Sequence, residues 1–239
     1  MASQIKRLPK NAYRISRRAL RAQVGLLERR FGLETSALVG RDELGLVGEQ
    51  RHYEPAGWLT LRRVLRSGEV SADDVFIDLG SGKGRVLLQA ARYPFKRVIG
   101  VEISESLNEI ARKNLSRSMP RLACKNIELV TADLAEYEIP DDVTVAFIYN
   151  PVRGELFSTV VDKLLASLDR RPRDLRLIYR IPLEEPRLTR TGRFRLLKSA
   201  RGVRPWSRES STRLYMVLAK PDPEPQRASP HGERDGSRA

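Results

Sequence analysis

One segment, Val75-Phe76-Ile77-Asp78-Leu79-Gly80-Ser81-Gly82-Lys83-Gly84-Arg85, constrains the fold of this chain more than any other. An apolar run ends in an acid, and three alternating glycines carry the chain through a turn. Val86-Leu87-Leu88-Gln89-Ala90-Ala91 then has helical character. Strand, glycine turn and helix in this order belong to open α/β sheets that grip a nucleotide-like ligand: glycine admits positive φ and lets a ligand lie against bare backbone. The amides that open the helix face the same ligand.

The glycine spacing narrows the options. A dinucleotide site asks for G-x-G-x-x-G, whereas this turn reads Gly80-x-Gly82-x-Gly84. A phosphate loop asks for Gly-Lys followed by Ser or Thr. Here Gly84 follows Lys83, and neither Ile77 nor Asp78 supplies the upstream glycine. Both phosphate-binding patterns are therefore weak.

Three further apolar runs end in polar residues. Arg97-Val98-Ile99-Gly100-Val101-Glu102 places a carboxylate about 20 residues past the glycines, the interval at which ribose hydroxyls are recognised. Ile127-Glu128-Leu129-Val130-Thr131-Ala132-Asp133 ends in another acid, and Val143-Thr144-Val145-Ala146-Phe147-Ile148-Tyr149-Asn150-Pro151 ends in Asn-Pro. Leu175–Ile181, Phe194–Ser199 and Thr212–Ala219 complete seven predicted strands. Helices are expected at Gly84–Tyr93, Glu105–Ser116 and Gly154–Leu168, and another after Pro55, with Trp58, Leu61, Val64 and Leu65 on its apolar face. The first five strands are expected to alternate with helices and run parallel, and the last two to form an antiparallel hairpin at the edge.

The order of these strand ends resembles the class I, seven-stranded, Rossmann-like methyltransferases that use S-adenosylmethionine (SAM). Asp78 stands where that family has the acid two residues before the first glycine. The resemblance covers about Arg51 to Lys220. It implies an α/β, Rossmann-like three-layer sandwich: a mostly parallel seven-stranded sheet, a C-terminal antiparallel hairpin and an added N-terminal helical segment. Residues 1–50 are expected to form a basic helical extension, 51–220 the methyltransferase domain, and 221–239 a Pro/Ser/charged disordered tail.

Motif I followed by Gly100-Val101-Glu102-Ile103, with Tyr53 and Pro55 upstream, is similar to the non-SET histone-lysine branch and its prokaryotic protein-lysine relatives. That branch carries paired asparagines followed by an aromatic residue, where this chain has Tyr149-Asn150-Pro151-Val152. The segment also differs from the Asp/Asn-Pro-Pro-Tyr of DNA-adenine and glutamine methyltransferases. The acceptor stays open on these grounds.

The resemblance implies a cofactor site of Asp78, Gly80, Ser81, Gly82, Gly84, Glu102, Ile103, Asp133, Leu134 and Asn150. The glycines lie around the methionine part, with Asp78 orienting the turn or binding the ammonium. Glu102 takes the ribose, and Asp133 with Leu134 frames the adenine. On the acceptor side, Tyr149 and Asn150 hold an amine by its hydrogens, and Tyr53 closes over the methionine end or lines the acceptor channel. His52 as a general base and Trp206 as a stacking surface are weaker candidates than an ordinary loop histidine and a core plug.

Charge is unevenly placed on this chain of net charge +14. Residues 75–145 hold ten Lys/Arg and ten acids, whereas 1–30 hold nine Lys/Arg against Glu28 alone. Residues 170–213 hold fourteen Lys/Arg against four acids. Basic flanks beside a neutral core suit an acidic protein, a nucleic acid or a phosphorylated small molecule as acceptor, equally with a merely solvated surface. Ile15, Ala19, Leu20, Val24, Leu27 and Phe31 recur at helical spacing, which favours an amphipathic helix over a transit peptide. The single Cys124 and the two histidines suit a reducing cytoplasm and argue against a metal site. No apolar run reaches the ~20 residues of a membrane span.

The expected function is SAM-dependent transfer of a methyl group to a nucleophile, nitrogen favoured over oxygen, with protein lysine suggested by the branch resemblance. RNA or a natural-product intermediate are open alternatives. A basic nucleic-acid-binding protein that keeps the fold as scaffold is the competing class, and a nicotinamide oxidoreductase is disfavoured by the glycine spacing. The oligomeric state is not legible in the sequence.

Overall fold

The computed structural model describes residues 22–37, 55–149, 152–201 and 211–220. His52, Tyr53, Asn150, Pro151, Trp206 and the tail 221–239 lie outside the described residues. Seven strands form one sheet: β1 Val75–Leu79, β2 Arg97–Glu102, β3 Ile127–Thr131, β4 Val145–Tyr149, β5 Leu175–Arg180, β6 Phe194–Ala200 and β7 Thr212–Val217. Their spatial order is β3-β2-β1-β4-β5-β7-β6. The first five strands are parallel. β7 runs antiparallel to both β5 and β6, with a register irregularity between Leu196 and Lys198. The expected hairpin is therefore present, with β7 inserted between β5 and the edge strand β6.

The central strands are continuous apolar runs because both faces of the sheet are covered. On one face, α4 (Gly154–Arg170) buries Phe157, Val160, Val161, Leu164 and Leu168 against Ile77, Ile148 and Leu177. On the other, α2 (Arg85–Ala90) and α3 (Glu105–Ser118) share a core with Phe76, Val98 and Phe147. Ser104 starts α3 by accepting the Leu107 N–H at 3.4 Å and is followed by Glu105 in the first turn, a favourable N-terminus for a helix.

Several expectations need correction. The helix after Pro55 shrinks to a 3-10 turn at Leu61–Arg63, between Gly57 and Gly68; Leu61, Val64 and Leu65 are buried all the same. No helix separates β3 from β4. Asp133 Oδ1 accepts the Ala135 N–H at 2.8 Å, which closes a turn, and Pro140 follows before a helix can extend. β3 stops at Thr131, two residues before Asp133. A short helix, α5 (Glu185–Arg190), was not anticipated.

The N-terminal helix, α1, is described over 22–30. Its inward face is not the apolar stripe read from the sequence. Leu26, Leu27 and Phe31 are exposed, while Glu28 is 4% exposed. A buried charge pair outweighs the stripe, as the site geometry explains. Among the described residues no helix is long and apolar enough to cross a membrane.

Candidate cofactor site

The carboxyl ends of β1, β2 and β4 meet at the glycine turn. The turn is fastened to β2 from inside: the Gly80 and Ser81 N–H groups both donate to the Val101 carbonyl at 2.9 Å, and the Gly84 N–H closes on the Ser81 carbonyl at 3.0 Å. Gly80, Gly82 and Gly84 have φ of +93°, +53° and +79°, a region costly for any side chain. A Cβ at Gly80 would meet nothing within 4 Å, so the backbone there borders open space. At Gly84 a Cβ would lie 3.1 Å from the Ala111 Cβ, so the turn also needs this glycine to let α3 pack closely.

Glu102 is the hub. Its Oε2 accepts the Gly82 N–H at 2.8 Å and its Oε1 accepts the Ser104 N–H at 3.1 Å. Burial pushes its pKa above the ordinary range, against the pull of the Ser104, Gly82 and Ile103 amides. Asp78 is buried deeper, and desolvation together with the nearby Glu102 charge raises its pKa well above the ordinary value. Two carboxyls on one side of a turn, both resisting ionisation, favour a ligand that brings a positive charge and hydroxyl donors.

Register shows which residues share this side. Asp78 pairs with Gly100 in β2 and with Phe147 in β4. With alternate residues pointing to alternate faces, Asp78, Glu102 and Tyr149 lie on the same face, the one that α2 covers. Arg180 pairs in register with Tyr149 and donates from Nη1 to Thr212 Oγ1 at 3.1 Å. Arg180 was missed in the sequence, where it was one of fourteen Lys/Arg residues in 170–213.

Ile103, just past Glu102, is 38% exposed, unusual for an isoleucine at the end of a central strand. Leu134 is buried, and Asp133 is half-buried with one carboxylate oxygen committed to its own turn. Asn108 was also missed: its Nδ2 donates to Thr131 Oγ1 at 2.8 Å and to the Val130 carbonyl at 3.2 Å, tying α3 to the end of β3. Only its setting, one helical turn past Ser104, could have marked it. Of the residues expected on the acceptor side, Tyr149 alone is among those described.

This sheet order, with a glycine turn after β1 and a carboxylate ending β2, is the arrangement expected of a class I, Rossmann-like methyltransferase domain. Residues 76–170 match the family model described as a methyltransferase domain. The chain is 32% identical over 119 residues to a probable ribosomal RNA small subunit methyltransferase A of Methanopyrus kandleri, covering 46% of this chain and 39% of that protein. It is 36% identical over 67 residues to a protein-lysine N-methyltransferase of Saccharolobus islandicus, covering 28% and 42% respectively. The match thus spans about two fifths of the length of these relatives. A solved RNA methyltransferase of Salinibacter ruber, in complex with S-adenosylhomocysteine, superposes with a TM-score of 0.49 at 22% identity, covering 72% of this chain and 99% of that one.

The cofactor of such a domain is SAM, and the residues present fit it. Gly80 leaves bare backbone at open space, and Ser81 Oγ is buried with no hydrogen-bond partner among the described residues. Both features suit a polar ligand lying along the turn.

Proposed function

We propose that this chain is a SAM-dependent methyltransferase acting on a nitrogen nucleophile carried by an anionic or acidic partner. The bound cofactor supplies a methyl group already activated on a sulfonium. What remains for the protein is to hold the donor, aim the acceptor and exclude water.

The observation that carries this reading is the Glu102 carboxylate, which lies against the Gly82 amide at the mouth of a positive-φ turn. In the proposed role Glu102 accepts the ribose hydroxyls with its remaining lone pairs. Asp78 receives the positive end of the methionine part. Ile103 and Leu134 offer apolar surface to the adenine, with Asp133 at its edge. On the acceptor side we assign Tyr149, together with Asn150 and Tyr53, to hold the incoming amine through its hydrogens and point its lone pair at the methyl.

The acceptor class rests on charge and relationship. Residues 170–213 have a net charge of +10, and one end of that stretch places Arg180 beside Tyr149. The relatives named above include one for ribosomal RNA and one for protein lysine. A structured RNA and an acidic protein would both meet this surface. Labelled methyl transfer from SAM to RNA and to protein fractions at several salt concentrations tests the reading. Label in RNA, with binding that falls steeply as salt rises, identifies phosphate contacts. Label in protein, resistant to nuclease and recovered as methyl-lysine on hydrolysis, identifies lysine. Label in neither fraction, with the cofactor bound, removes a macromolecular acceptor.

A further inference from the structure

The glycine turn is gripped from a second side, by a segment far away in sequence. Arg85, the first residue of α2, is 7% exposed. Its Nη2 lies 2.6 Å from Glu28 Oε1 and 2.7 Å from Ser36 Oγ. Its Nε donates to Thr35 Oγ1 at 2.7 Å and its Nη1 to the Ala56 carbonyl at 2.9 Å. The guanidinium also lies over the Trp58 ring, 5.1 Å from its centroid. Glu28 in turn accepts the Thr35 N–H at 2.9 Å, the Ser36 hydroxyl at 2.8 Å and the Trp58 indole N–H at 2.8 Å.

A second tie lies two residues earlier in the chain. The buried Lys83 ammonium donates to Glu34 Oε1 at 2.8 Å. Asn114 of α3 accepts the Glu34 N–H at 2.9 Å through Oδ1, and through Nδ2 donates to the Glu34 carbonyl at 3.2 Å and the Lys83 carbonyl at 3.0 Å. Both residues flanking Gly84 are therefore anchored to residues 28–36. Glu102 holds the turn from β2, and this segment holds it from outside.

We infer that residues 28–36 are a positioning element for the cofactor turn, so that docking of this segment and binding of the cofactor strengthen each other through Glu28–Arg85 and Glu34–Lys83. A turn whose three glycines give it little stiffness of its own takes its shape from what surrounds it. Undocking the segment takes the Glu34 and Glu28 carboxylates away from Lys83 and Arg85 together, and the turn between them loses that support. The coupling is reciprocal by thermodynamic necessity. This inference rests on the SAM reading of the site.

The experiment uses the full chain, wild type and the variants Glu28→Gln and Glu34→Gln, with S-adenosylhomocysteine as probe. Glu34 is more than half exposed on its side chain, so Glu34→Gln tests the tie without emptying a core position. Binding is measured calorimetrically, folding by thermal unfolding, and docking by hydrogen exchange of the Leu33, Glu34 and Thr35 amides. The expected result is binding weakened about five- to 150-fold in folded variants, the range of ordinary coupling between sites. In wild type, saturating ligand should slow exchange of those three amides by at least the factor lost in the variants. Folded variants that bind within twofold of wild type, or exchange that ligand leaves unchanged, overturn the inference while leaving the cofactor site intact. Failure of wild type itself to bind overturns the SAM reading and this inference with it.

Discussion

Glu102 Oε2 accepts the Gly82 N–H at 2.8 Å, so the carboxylate assigned to the ribose also sets the shape of the turn assigned to the methionine part. In the proposed role, ligand recognition and loop geometry share one side chain. Replacing it removes a ligand acceptor and a loop anchor together.

Glu102→Ala should therefore weaken SAM binding by roughly ten- to a hundredfold, the value of one hydrogen bond to a charged group. Glu102→Gln should lose less, since its carboxamide oxygen still accepts one amide. Calorimetric titration ranks the two, and equal affinities for wild type and Glu102→Ala would remove Glu102 from the site.

Gly100 faces the back of the turn. A Cβ there would lie 2.5 Å from Leu87 Cδ1, 2.9 Å from Ser81 Oγ and 3.1 Å from Leu129 Cδ2. Gly100→Ala should destabilise the fold by about 1–3 kcal/mol through overpacking, and displace Ser81 as it does so. Urea unfolding reports the first effect and cofactor affinity the second.

The Glu28–Arg85 pair has both side chains under a tenth exposed. Removing one partner of a buried pair strands the other charge, so Arg85→Ala should cost about 3–5 kcal/mol. The pair also carries a pH signature. Burial alone would raise the Glu28 pKa, but the Arg85 charge and the Ser36, Thr35 and Trp58 hydrogen bonds outweigh it and leave the pKa lowered. A depressed carboxyl contributes stability that is complete above its unfolded pKa of about 4.3 and is lost as pH falls through the lower folded value. Wild type should therefore lose more stability than Glu28→Gln on acidification below about pH 5. Parallel unfolding curves of the two proteins in acid would contradict this.

Asp78 and Glu102 move the opposite way, with pKa values raised chiefly by burial. Each therefore retains its proton to a higher pH than a free carboxyl, and a protonated carboxyl is a poor partner for an ammonium or a pair of hydroxyls. Affinity for S-adenosylhomocysteine should fall with acidification in a pH window above the ordinary carboxylate range. Binding in that window should release protons, which titrations in buffers of different ionisation enthalpy detect. Affinity that does not change with pH would mean that neither carboxyl ionises on binding.

The residues that were legible in the sequence are those whose role is local. Val75–Leu79 and Arg97–Glu102 are apolar runs closed by a turn or an acid, and they form β1 and β2 with those bounds. The glycines and Glu102 meet as the 20-residue interval between Gly82 and Glu102 suggested. What stayed hidden depends on distant partners. Glu28 and Arg85 are 57 residues apart, and alone Glu28 was just the one acid in a basic segment. The stripe of Leu27 and Phe31 pointed to the wrong face because periodicity does not record a buried charge pair. The edge hairpin of the last two strands was legible in the sequence; that β7 is its inner strand is set by pairing with β5 across the sheet. Arg180 gains its place beside Tyr149 the same way.

The central claim is that Asp78, Glu102 and the glycine turn form a SAM site. Calorimetric titration of the full chain with SAM and with S-adenosylhomocysteine, alongside Glu102→Ala, tests it most directly. The account predicts saturable binding by wild type with a Kd on the order of 1–100 μM, weakened roughly ten- to a hundredfold in the folded variant. Absence of binding of either ligand to folded wild type would contradict it and leave the basic-scaffold alternative standing.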